Sequence, residues 1–369
     1  MIRTDIAIIG AGMAGASLAA AIGDAARVVL IEAEHQPGYH STGRSAAFWS
    51  ETYGGPAVQP LTTASGEALR AGGYLGPRGG LHIADADGQA ALDALAAEFA
   101  GSSVPLRWCG RDEIAARIPG IAPGWDAGLE EPSCADIDVA ALHGHCLGQA
   151  QRAGVGLLCN ARVDALAREN GGWRIETRAG AVFADLVVDA AGAWASDIAR
   201  MAGASDVAIV PMRRTVVQLA IDPPARADLP LVMDALGRFY FKPEAGGRLW
   251  LSPHDETPVV ASDVQPEELD VAMAIDRLEH ATGWRILARE RAWAGLRSFA
   301  RDRAPVYGFD PRAPGFFWCA GQGGFGIQTA PAAAALAAAL LLGRPLPEMV
   351  ARINPDRYAP GRFMGTETQ

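Results

Sequence analysis

Near the N-terminus, the pattern of hydrophobic and polar positions alternates between one typical of strands and one typical of helices. This pattern predicts the first elements of a layered fold. An apolar strand is predicted at residues 5–9, a tight glycine-rich turn at 10–15, a helix at 16–22 and a second strand at 27–31. This succession is typical of half of a doubly wound α/β sheet.

Two later regions repeat this succession of helices and strands. One runs from a helix that begins near Asp138 to strands at 156–158 and 186–190. The other has a strand at 315–319 that leads into a glycine-rich turn at 321–326 and an alanine-rich helix. Because strand-like, aromatic segments separate these regions, we expect two domains, each assembled from separate pieces of chain. The separating segments are 79–84 and 216–251.

The longest apolar run, residues 330–342, is shorter than the roughly 18 to 20 residues that a membrane span needs. Thr329 precedes this run, Pro331 lies in its first turn and Gly343 follows it, as expected for an ordinary helix. We therefore predict a buried helix and no membrane span.

Composition narrows the class of partner. Half of the 369 residues are hydrophobic and 20% are charged, as in folded globular proteins. The net charge of −10 provides no electrostatic footprint for nucleic acid or an anionic membrane, so we expect a small-molecule partner. The five cysteines form no Cys-x-x-Cys pair, which favours reduced thiols and a cytoplasmic location.

The first turn carries a dinucleotide-binding pattern. Gly10, Gly12 and Gly15 match G-x-G-x-x-G between a predicted strand and helix. The first glycine allows the tight turn, the second admits a pyrophosphate, and the third lets the helix pack on the strand. Glu32, 20 residues beyond Gly12, can accept hydrogen bonds from ribose hydroxyls and would repel a 2′-phosphate. The alternative interpretation is a glycine-rich turn without a ligand.

Two further loops suit a flavin. Residues 38–47 form a polar loop of small residues that could run beside a cofactor. Residues 321–329 open the last helix, where free N–H groups and the positive end of the helix dipole would favour the anionic edge of a reduced flavin. Taken alone, the second loop could equally be a flexible helix entry.

These motifs together resemble the D-amino-acid oxidase family of FAD enzymes, and within it the bacterial FAD-dependent D-arginine dehydrogenases. The resemblance covers almost the whole chain and implies an α/β fold, with a Rossmann-like FAD-binding domain and an α+β substrate domain whose mixed sheet is mostly antiparallel. It rests on residues 10–15 with Glu32, 38–47, 135–138, 189–194, 293–299 and 321–329. The implied domain boundaries are 1–77, 137–211 and 300–369 for the FAD-binding domain, and 78–136 and 212–299 for the substrate domain.

The resemblance also implies which residues bind the cofactor, FAD, which would be held noncovalently. They are Gly10, Gly12, Ala14, Gly15, Glu32, Ala33, Ser41, Thr42, Gly43, Arg44, Ser45, Ala46, Ala47, Val163, Ala191, Gly192, Trp194, Gly321, Gly324, Gly326, Ile327 and Gln328.

By the same resemblance, Arg214 and Arg297 would bind the carboxylate of an amino-acid substrate, assisted by Tyr53 and Tyr240. A guanidinium presents a rigid fork of donors that matches a carboxylate, and tyrosine hydroxyls add donors without another charge. For Arg297, a structural arginine paired with an acid is the alternative.

Three departures from the D-arginine dehydrogenase pattern concern the side chain of the substrate. Gly80 stands where an acid would meet a guanidinium, Phe48 stands in place of histidine, and Ser50 replaces threonine. We therefore expect neutral or aromatic D-amino acids to be preferred over D-arginine, although Glu51 and Asp85 could supply an acid from another direction. The predicted substrate pocket comprises Phe48, Trp49, Ser50, Gly80, Gln322 and Gly323.

The reaction implied is oxidative deamination of a D-amino acid by hydride transfer from Cα to flavin N5, which yields an imino acid and then a 2-oxo acid and ammonia. Quinone or oxygen would reoxidise the flavin. Positioning of Cα is the main requirement, so no residue is assigned as an essential base. Two alternatives remain: a glycine-, sarcosine- or other amine oxidase, and a noncatalytic flavoprotein.

Other chemically suggestive residues have simpler interpretations. His143 and His145 point to different sides of a predicted helix, so we interpret them as partly exposed helix residues and not as a metal pair. Asp136 and Asp138 resemble a carboxylate dyad, but Asp138 is better explained as a helix N-cap.

Overall fold

Two large β-sheets organise the chain in the computed structural model, which describes residues 1–364. At the centre of the first sheet, the strand Ile2–Ile9 runs parallel to Val28–Ile31 on one side and to Gly180–Asp189 on the other. The sheet has eight strands: Ile2–Ile9, Val28–Ile31, Gly156–Leu158, Val163–Glu169, Gly172–Thr177, Gly180–Asp189, Val306–Phe309 and Phe316–Ala320.

The second sheet is mixed and mostly antiparallel, because only Leu231–Asp234 and Gly80–Ala84 pair in parallel. Its ten strands are Gly80–Ala84, Arg107–Gly110, Ala127–Glu131, Val210–Asp222, Leu231–Asp234, Tyr240–Glu244, Arg248–Ser252, Thr257–Pro258, Arg285–Phe299 and Gln322–Gly323. A small third sheet joins Phe48–Trp49, Leu75–Pro77 and Ala135–Ile137. Both large sheets agree with the predicted architecture.

Eight α-helices accompany the sheets in the described part of the chain. They are Met13–Ile22, Gln59–Ala71, Gln89–Phe99, Arg111–Arg117, Val139–Arg152, Ala195–Ala202, Glu268–Ala281 and Ala330–Leu341. Short 3-10 helices occupy Gly23–Ala25, Gly192–Trp194, Glu348–Val350, Pro355–Tyr358 and Pro360–Phe363.

The predicted helices are present, with small shifts at their ends. Met13–Ile22 begins three residues earlier than predicted, directly after Gly12. The predicted cap of Val139–Arg152 is confirmed, since the Asp138 carboxylate accepts a hydrogen bond from the Ala141 amide at 2.9 Å. Ala330–Leu341 is buried as predicted.

The predicted domain boundaries fall close to changes of sheet. Every strand of the eight-stranded sheet lies within the pieces 1–77, 137–211 and 300–369. Two strands cross the predicted limits: Val210–Asp222 begins before residue 212, and Ala135–Ile137 ends after residue 136. In addition, Gln322–Gly323 lies in the last piece but joins the second sheet.

Two expectations about composition can be compared with the structure. All five cysteines are free thiols. Within residues 1–364, the helices are all too short or too polar to cross a membrane.

Candidate active site

The glycine-rich turn at the end of the first strand has the close packing that its sequence predicts. Gly10 has φ of +103°, and a β-carbon there would overlap the carbonyl oxygen of Ala190. A β-carbon on Gly15 would overlap the carbonyl oxygen of Gly10 and come within 3.3 Å of Ile8. The turn and the close approach of helix to strand therefore both require glycine.

Glu32 closes the turn from the second strand. Its carboxylate accepts hydrogen bonds from the backbone amides of Ala11 at 2.9 Å and Glu34 at 3.0 Å. The side chain is largely buried but lines the adjacent cavity. Since each carboxylate oxygen has two lone pairs, Glu32 can still accept a hydrogen bond from a ribose hydroxyl.

A cavity of about 440 Å³ extends from this turn to the glycine-rich segment before the last helix. It brings together most of the residues predicted to bind the cofactor. Those that line it are Gly10, Gly12, Ala14, Glu32, Ala33, Ser41, Thr42, Ser45, Val163, Ala191, Gly192, Trp194, Gly324, Gly326 and Ile327, together with Gln322 and Gly323 from the predicted substrate pocket.

Seven predicted cofactor residues do not line this cavity; three of them, Ala46, Ala47 and Gln328, line a smaller cavity described below, and the other four lie in the surrounding loops. Gly15 packs against the first strand, and Gly43 donates a backbone hydrogen bond to Gly38 at 2.8 Å. Arg44 forms an ion pair with Asp263 at 2.5 Å. Gly321, with φ of +72°, lies among apolar side chains behind the segment. These residues shape the loops around the cavity.

A second, much smaller cavity of about 20 Å³ adjoins the first. The two share Ser45, Arg297, Gly324 and Ile327. The small cavity unites all four predicted catalytic residues with six that were predicted to bind the cofactor. Its lining is Ser45, Ala46, Ala47, Phe48, Tyr53, Arg214, Tyr240, Arg297, Gly324, Ile327 and Gln328.

The sheet register places both arginines on one face. Val210–Asp222 and Arg285–Phe299 are antiparallel, with Arg214 opposite Gly295 and Met212 opposite Arg297. Because alternate residues share a face, the two guanidinium groups lie diagonally across one strand pair.

Arg214 is held on several sides. Its Nε donates to the carbonyl oxygen of Asp255 at 2.8 Å, its Nη2 to Glu256 at 2.8 Å, and its Nη1 to the Tyr53 hydroxyl at 3.4 Å. Burial lowers the pKa of this guanidinium, but Tyr53, Tyr240 and Glu256 outweigh that effect, so the pKa lies above its usual value.

Arg297 has no comparable support. It is 6% exposed, and within residues 1–364 no acid forms an ion pair with it, while its Nη1 has no hydrogen-bond partner. Burial lowers its pKa from the usual value, although Tyr240 acts in the opposite direction. The alternative of a structural arginine paired with an acid is therefore not seen in the described residues. A buried, unpartnered donor that borders both cavities is suited to an anionic ligand.

Aromatic side chains form the other wall of the small cavity. The Phe48 ring centroid lies 5.2 Å from that of Tyr53 and 5.9 Å from that of Tyr240. Burial raises the pKa of Tyr240, which keeps its hydroxyl protonated and able to donate. A β-carbon on Gly324 would overlap the Tyr53 hydroxyl, so glycine there leaves room for Tyr53.

Three residues of the predicted substrate pocket lie away from both cavities. Trp49 follows Phe48 in a strand, points into the core and donates from Nε1 to the Thr62 carbonyl oxygen at 3.0 Å. The Ser50 hydroxyl donates to the buried Glu131 carboxylate at 2.8 Å. Gly80 faces Cys134. The structure therefore does not bring Trp49, Ser50 or Gly80 to the cavity lining.

The acids considered as alternative partners of a basic substrate are already engaged. Glu51 accepts hydrogen bonds from the hydroxyls of Thr63 at 2.5 Å and Ser133 at 3.0 Å. Asp85 forms an ion pair with Arg238 at 2.8 Å. Neither acid lines the small cavity.

Gln328 connects the glycine-rich segment to the loop that carries Tyr53. Its side-chain amide accepts a hydrogen bond from the Ser50 amide at 3.2 Å and donates to the carbonyl oxygens of Ser50 at 3.1 Å and Tyr53 at 3.2 Å. It also donates to the Thr62 hydroxyl at 2.9 Å. The amide therefore fixes the position of Tyr53.

His143 is more buried than its sequence context predicts. It was expected to be partly exposed, but it is only 8% exposed and its Nε2 donates to the carbonyl oxygen of Ala11 at 2.9 Å. Burial lowers its pKa, so the ring is neutral with the proton on Nε2. A β-carbon on Gly38 would approach the same ring within 2.8 Å. His143 thus braces two segments that line the large cavity.

Two residues that the sequence did not indicate lie behind the small cavity. His254 packs edge-on against Tyr240, with ring centroids 5.5 Å apart, and burial together with Arg214 lowers its pKa to about 3. Glu256 pairs with Arg214 as described above. Both belong to a loop that only the sheet pairing brings close to the arginines, so no local motif could have revealed them.

The donor set fits FAD. The large cavity joins a glycine turn at a helix N-terminus, an acid suited to ribose hydroxyls and a second glycine-rich segment near two arginines. Comparison with protein families agrees: the DAO model, described as FAD dependent oxidoreductase, matches residues 5–340.

The chain belongs to the DAO family.

Solved structures of other proteins share the fold of this chain. Glycine oxidase from Geobacillus kaustophilus superposes with a TM-score of 0.80 at 23% identity, covering 93% of this chain and 96% of the other. Among curated relatives, dimethylglycine dehydrogenase from Rattus norvegicus is 34% identical over 128 residues, or 34% of this chain and 15% of the relative. Glycine oxidase from Pseudomonas putida is 30% identical over 198 residues, or 52% of this chain and 49% of the relative.

These comparisons support membership of the DAO family and FAD as the cofactor. They do not distinguish the D-arginine dehydrogenases from other members of the family. The matched segments span half or less of these two curated relatives. Their names refer to glycine and dimethylglycine and not to D-arginine. The resemblance to D-arginine dehydrogenases in particular therefore stays a prediction.

Proposed function

We propose that this protein oxidises the Cα–N bond of a neutral α-amino acid, in the D configuration where Cα is chiral. The product would be an imino acid, which water hydrolyses to a 2-oxo acid and ammonia. The observation that carries the proposal is the buried, unpaired Arg297, which borders both the cofactor-sized cavity and the small aromatic cavity.

In this proposal, Arg297 binds the substrate carboxylate and Arg214 supports it from the neighbouring strand. The free Nη1 of Arg297 donates to one carboxylate oxygen. Tyr53 and Tyr240, which line the same cavity, donate from their hydroxyls. Since both arginines belong to paired strands, the carboxylate is held at a fixed place, and the rest of the substrate is oriented by that anchor.

FAD would occupy the large cavity, with its pyrophosphate at the turn formed by Gly10, Gly12 and the start of the first helix. Glu32 would accept hydrogen bonds from the ribose. Bound FAD supplies a two-electron acceptor for the α-hydrogen of the substrate. The protein contributes a small, partly enclosed cavity beside it, and burial of the substrate there limits access of water to the reacting carbon.

The lining of the small cavity supports a neutral substrate side chain. It contains two arginines and three aromatic residues but no carboxylate. The nearby acids are engaged in other contacts, as are Glu51 with Thr63 and Asp85 with Arg238. A guanidinium side chain would therefore be buried without a partner, which is unfavourable. We infer that D-arginine is a poor substrate.

A second candidate is oxidation of glycine or an N-methylated glycine. The small cavity of about 20 Å³ favours a short substrate over a bulky aromatic one. The names of two curated relatives, glycine oxidase and dimethylglycine dehydrogenase, point in the same direction. A noncatalytic role would leave the unpaired, buried Arg297 without an explanation.

An anaerobic substrate panel tests these proposals. The holoenzyme is mixed with paired D- and L-alanine, methionine and phenylalanine, with glycine and sarcosine, and with D-arginine, while the absorbance of oxidised flavin is followed. We expect bleaching by neutral D-amino acids or by glycine and sarcosine, and little by D-arginine. Preference for D-arginine would contradict the inferred side-chain specificity, and no bleaching by any compound would contradict the catalytic role.

Turnover with oxygen or with a soluble quinone then identifies the electron acceptor.

A further inference from the structure

One acidic side chain reaches the candidate substrate site from the protein surface. The Oε1 atom of Glu256 accepts hydrogen bonds from Nη2 of Arg214 and from Nη2 of Arg303, both at 2.8 Å. The Glu256 side chain is 31% exposed, whereas that of Arg214 is 2% exposed. A partly exposed carboxylate therefore pairs with a cation that lines the small cavity.

The two arginines consequently differ in their charge balance. Arg214 has an ion-pair partner in Glu256, which it shares with Arg303, whereas Arg297 has no ion-pair partner in the part of the chain described. The other nearby acid, Asp255, accepts hydrogen bonds from the amide and hydroxyl of Thr215 at 2.6 and 3.0 Å. Of the two arginines that line the small cavity, Arg297 is therefore the one without an ion-pair partner among the described residues.

We propose that Glu256 is a specificity-determining residue that restricts the site to substrates with a single carboxylate. The inference rests on the proposed function, since it assumes that a substrate carboxylate binds beside Arg297. A second carboxylate would have no unpaired cation to meet, and burial of an unpaired charge is unfavourable. Without the charge of Glu256, Arg214 becomes a second uncompensated cation, and a dianion gains more from it than a monoanion.

The test compares acetate with malonate as ligands of the Glu256→Gln holoenzyme. Neither anion carries an amine that could be oxidised, and each titration is followed through the flavin absorbance. We expect the ratio of the acetate Kd to the malonate Kd to rise about tenfold relative to the unmodified protein. Glu268→Gln is the matched control, because it removes the same charge from an 82% exposed side chain that pairs with Arg289 at 2.6 Å. The ratio should not change in this control.

If Glu256→Gln does not fold, the double change Glu256→Gln with Arg303→Gln removes both ends of the outer ion pair and should give the same rise. An unchanged ratio in a variant that retains FAD and binds acetate would overturn the proposal.

Failure of the proposed function has a different signature. If the ratio of the acetate Kd to the malonate Kd rises but no amino acid bleaches the flavin, the role of Glu256 is supported and the proposed oxidase activity is contradicted. If neither anion changes the flavin absorbance in any variant, both the carboxylate site at Arg297 and the role of Glu256 are contradicted. Steady-state kinetics provide a further test, in which Glu256→Gln should improve kcat/KM for D-aspartate relative to D-alanine.

Discussion

Gly295 lies beside the guanidinium of Arg297, and a β-carbon at position 295 would come within 2.7 Å of its Nη1. Gly295 is also the residue directly opposite Arg214 in the strand pair. The absence of a side chain at this one position leaves the space in which the head group of Arg297 reaches the small cavity.

We therefore expect Gly295→Ala to displace the head of Arg297 and to lower kcat/KM for the best amino acid about tenfold or more, mainly through KM. A displacement near 1 Å can have an effect of this size in a preorganised site. Steady-state kinetics measure the change. The control is Gly144→Ala, since a β-carbon at that position meets no neighbouring atom within 4 Å. Unchanged kinetics in Gly295→Ala would mean that Arg297 does not depend on this space.

Arg297→Ala should lower kcat/KM by at least about 100-fold, because charge-assisted hydrogen bonds contribute roughly 1.5 to 3 kcal/mol each. FAD content should be unaffected, since the residues at the glycine turn are intact. Arg289→Ala changes an exposed arginine of the same strand and serves as the control. Retention of full kcat/KM by Arg297→Ala would remove this residue from the carboxylate site.

His143→Leu should weaken FAD binding about fivefold to tenfold, because it removes one buried hydrogen bond to the Ala11 carbonyl oxygen. Flavin fluorescence during titration of the apoprotein gives the Kd. Glutamine at position 143 retains a donor and should restore part of the affinity. His145 is exposed and lies two residues further along the same helix, so His145→Leu should leave the Kd for FAD unchanged. An equal loss of FAD affinity in His143→Leu and His145→Leu would contradict a specific role for the His143 hydrogen bond.

His254 should make the folded state sensitive to acid. Its folded-state pKa of about 3 lies below the usual value of 6.5, so the unfolded chain binds a proton that the folded chain does not over this range. The free energy of unfolding therefore falls as the pH drops below 6.5, by at most about 1.4 kcal/mol per pH unit from this group.

His254→Asn should reduce that slope, and asparagine tolerates the left-handed φ of +57° at this position. Denaturant unfolding at pH 7, 6 and 5 measures the difference. His280→Asn alters a 77% exposed histidine and should leave the slope as in the unmodified protein. An identical pH dependence with and without His254 would show that another group carries the acid sensitivity.

Much of the cofactor-binding region could be predicted, because its motifs consist of residues that are close together along the chain. The glycine turn, the acid at the end of the second strand and the alanine-rich helix each depend on residues close in sequence. Short-range steric and capping rules are sufficient to place such elements. The position of Glu32 at the cavity follows from the same rules.

The substrate side was harder to predict, because it depends on strand register and on side-chain direction. Phe48 and Trp49 were both assigned to the pocket, but neighbouring strand residues face opposite sides, and only Phe48 lines the cavity. The same alternation separates Arg213, which pairs with Asp270 at 2.9 Å, from Arg214, which lines the cavity. Contacts such as that of Glu256 with Arg214 span 42 residues and leave no sequence pattern.

The two-residue strand Gln322–Gly323 continues the second sheet beside Arg285–Phe299, with Gly323 opposite Ser298 and Gln322 opposite Phe299. Ser298 directly follows Arg297. The backbone of Gln322 and Gly323, which line the large cavity, is therefore hydrogen-bonded to the strand that carries Arg297. Because both segments belong to the same sheet, the distance from the cofactor cavity to Arg297 is set by the spacing of two paired strands.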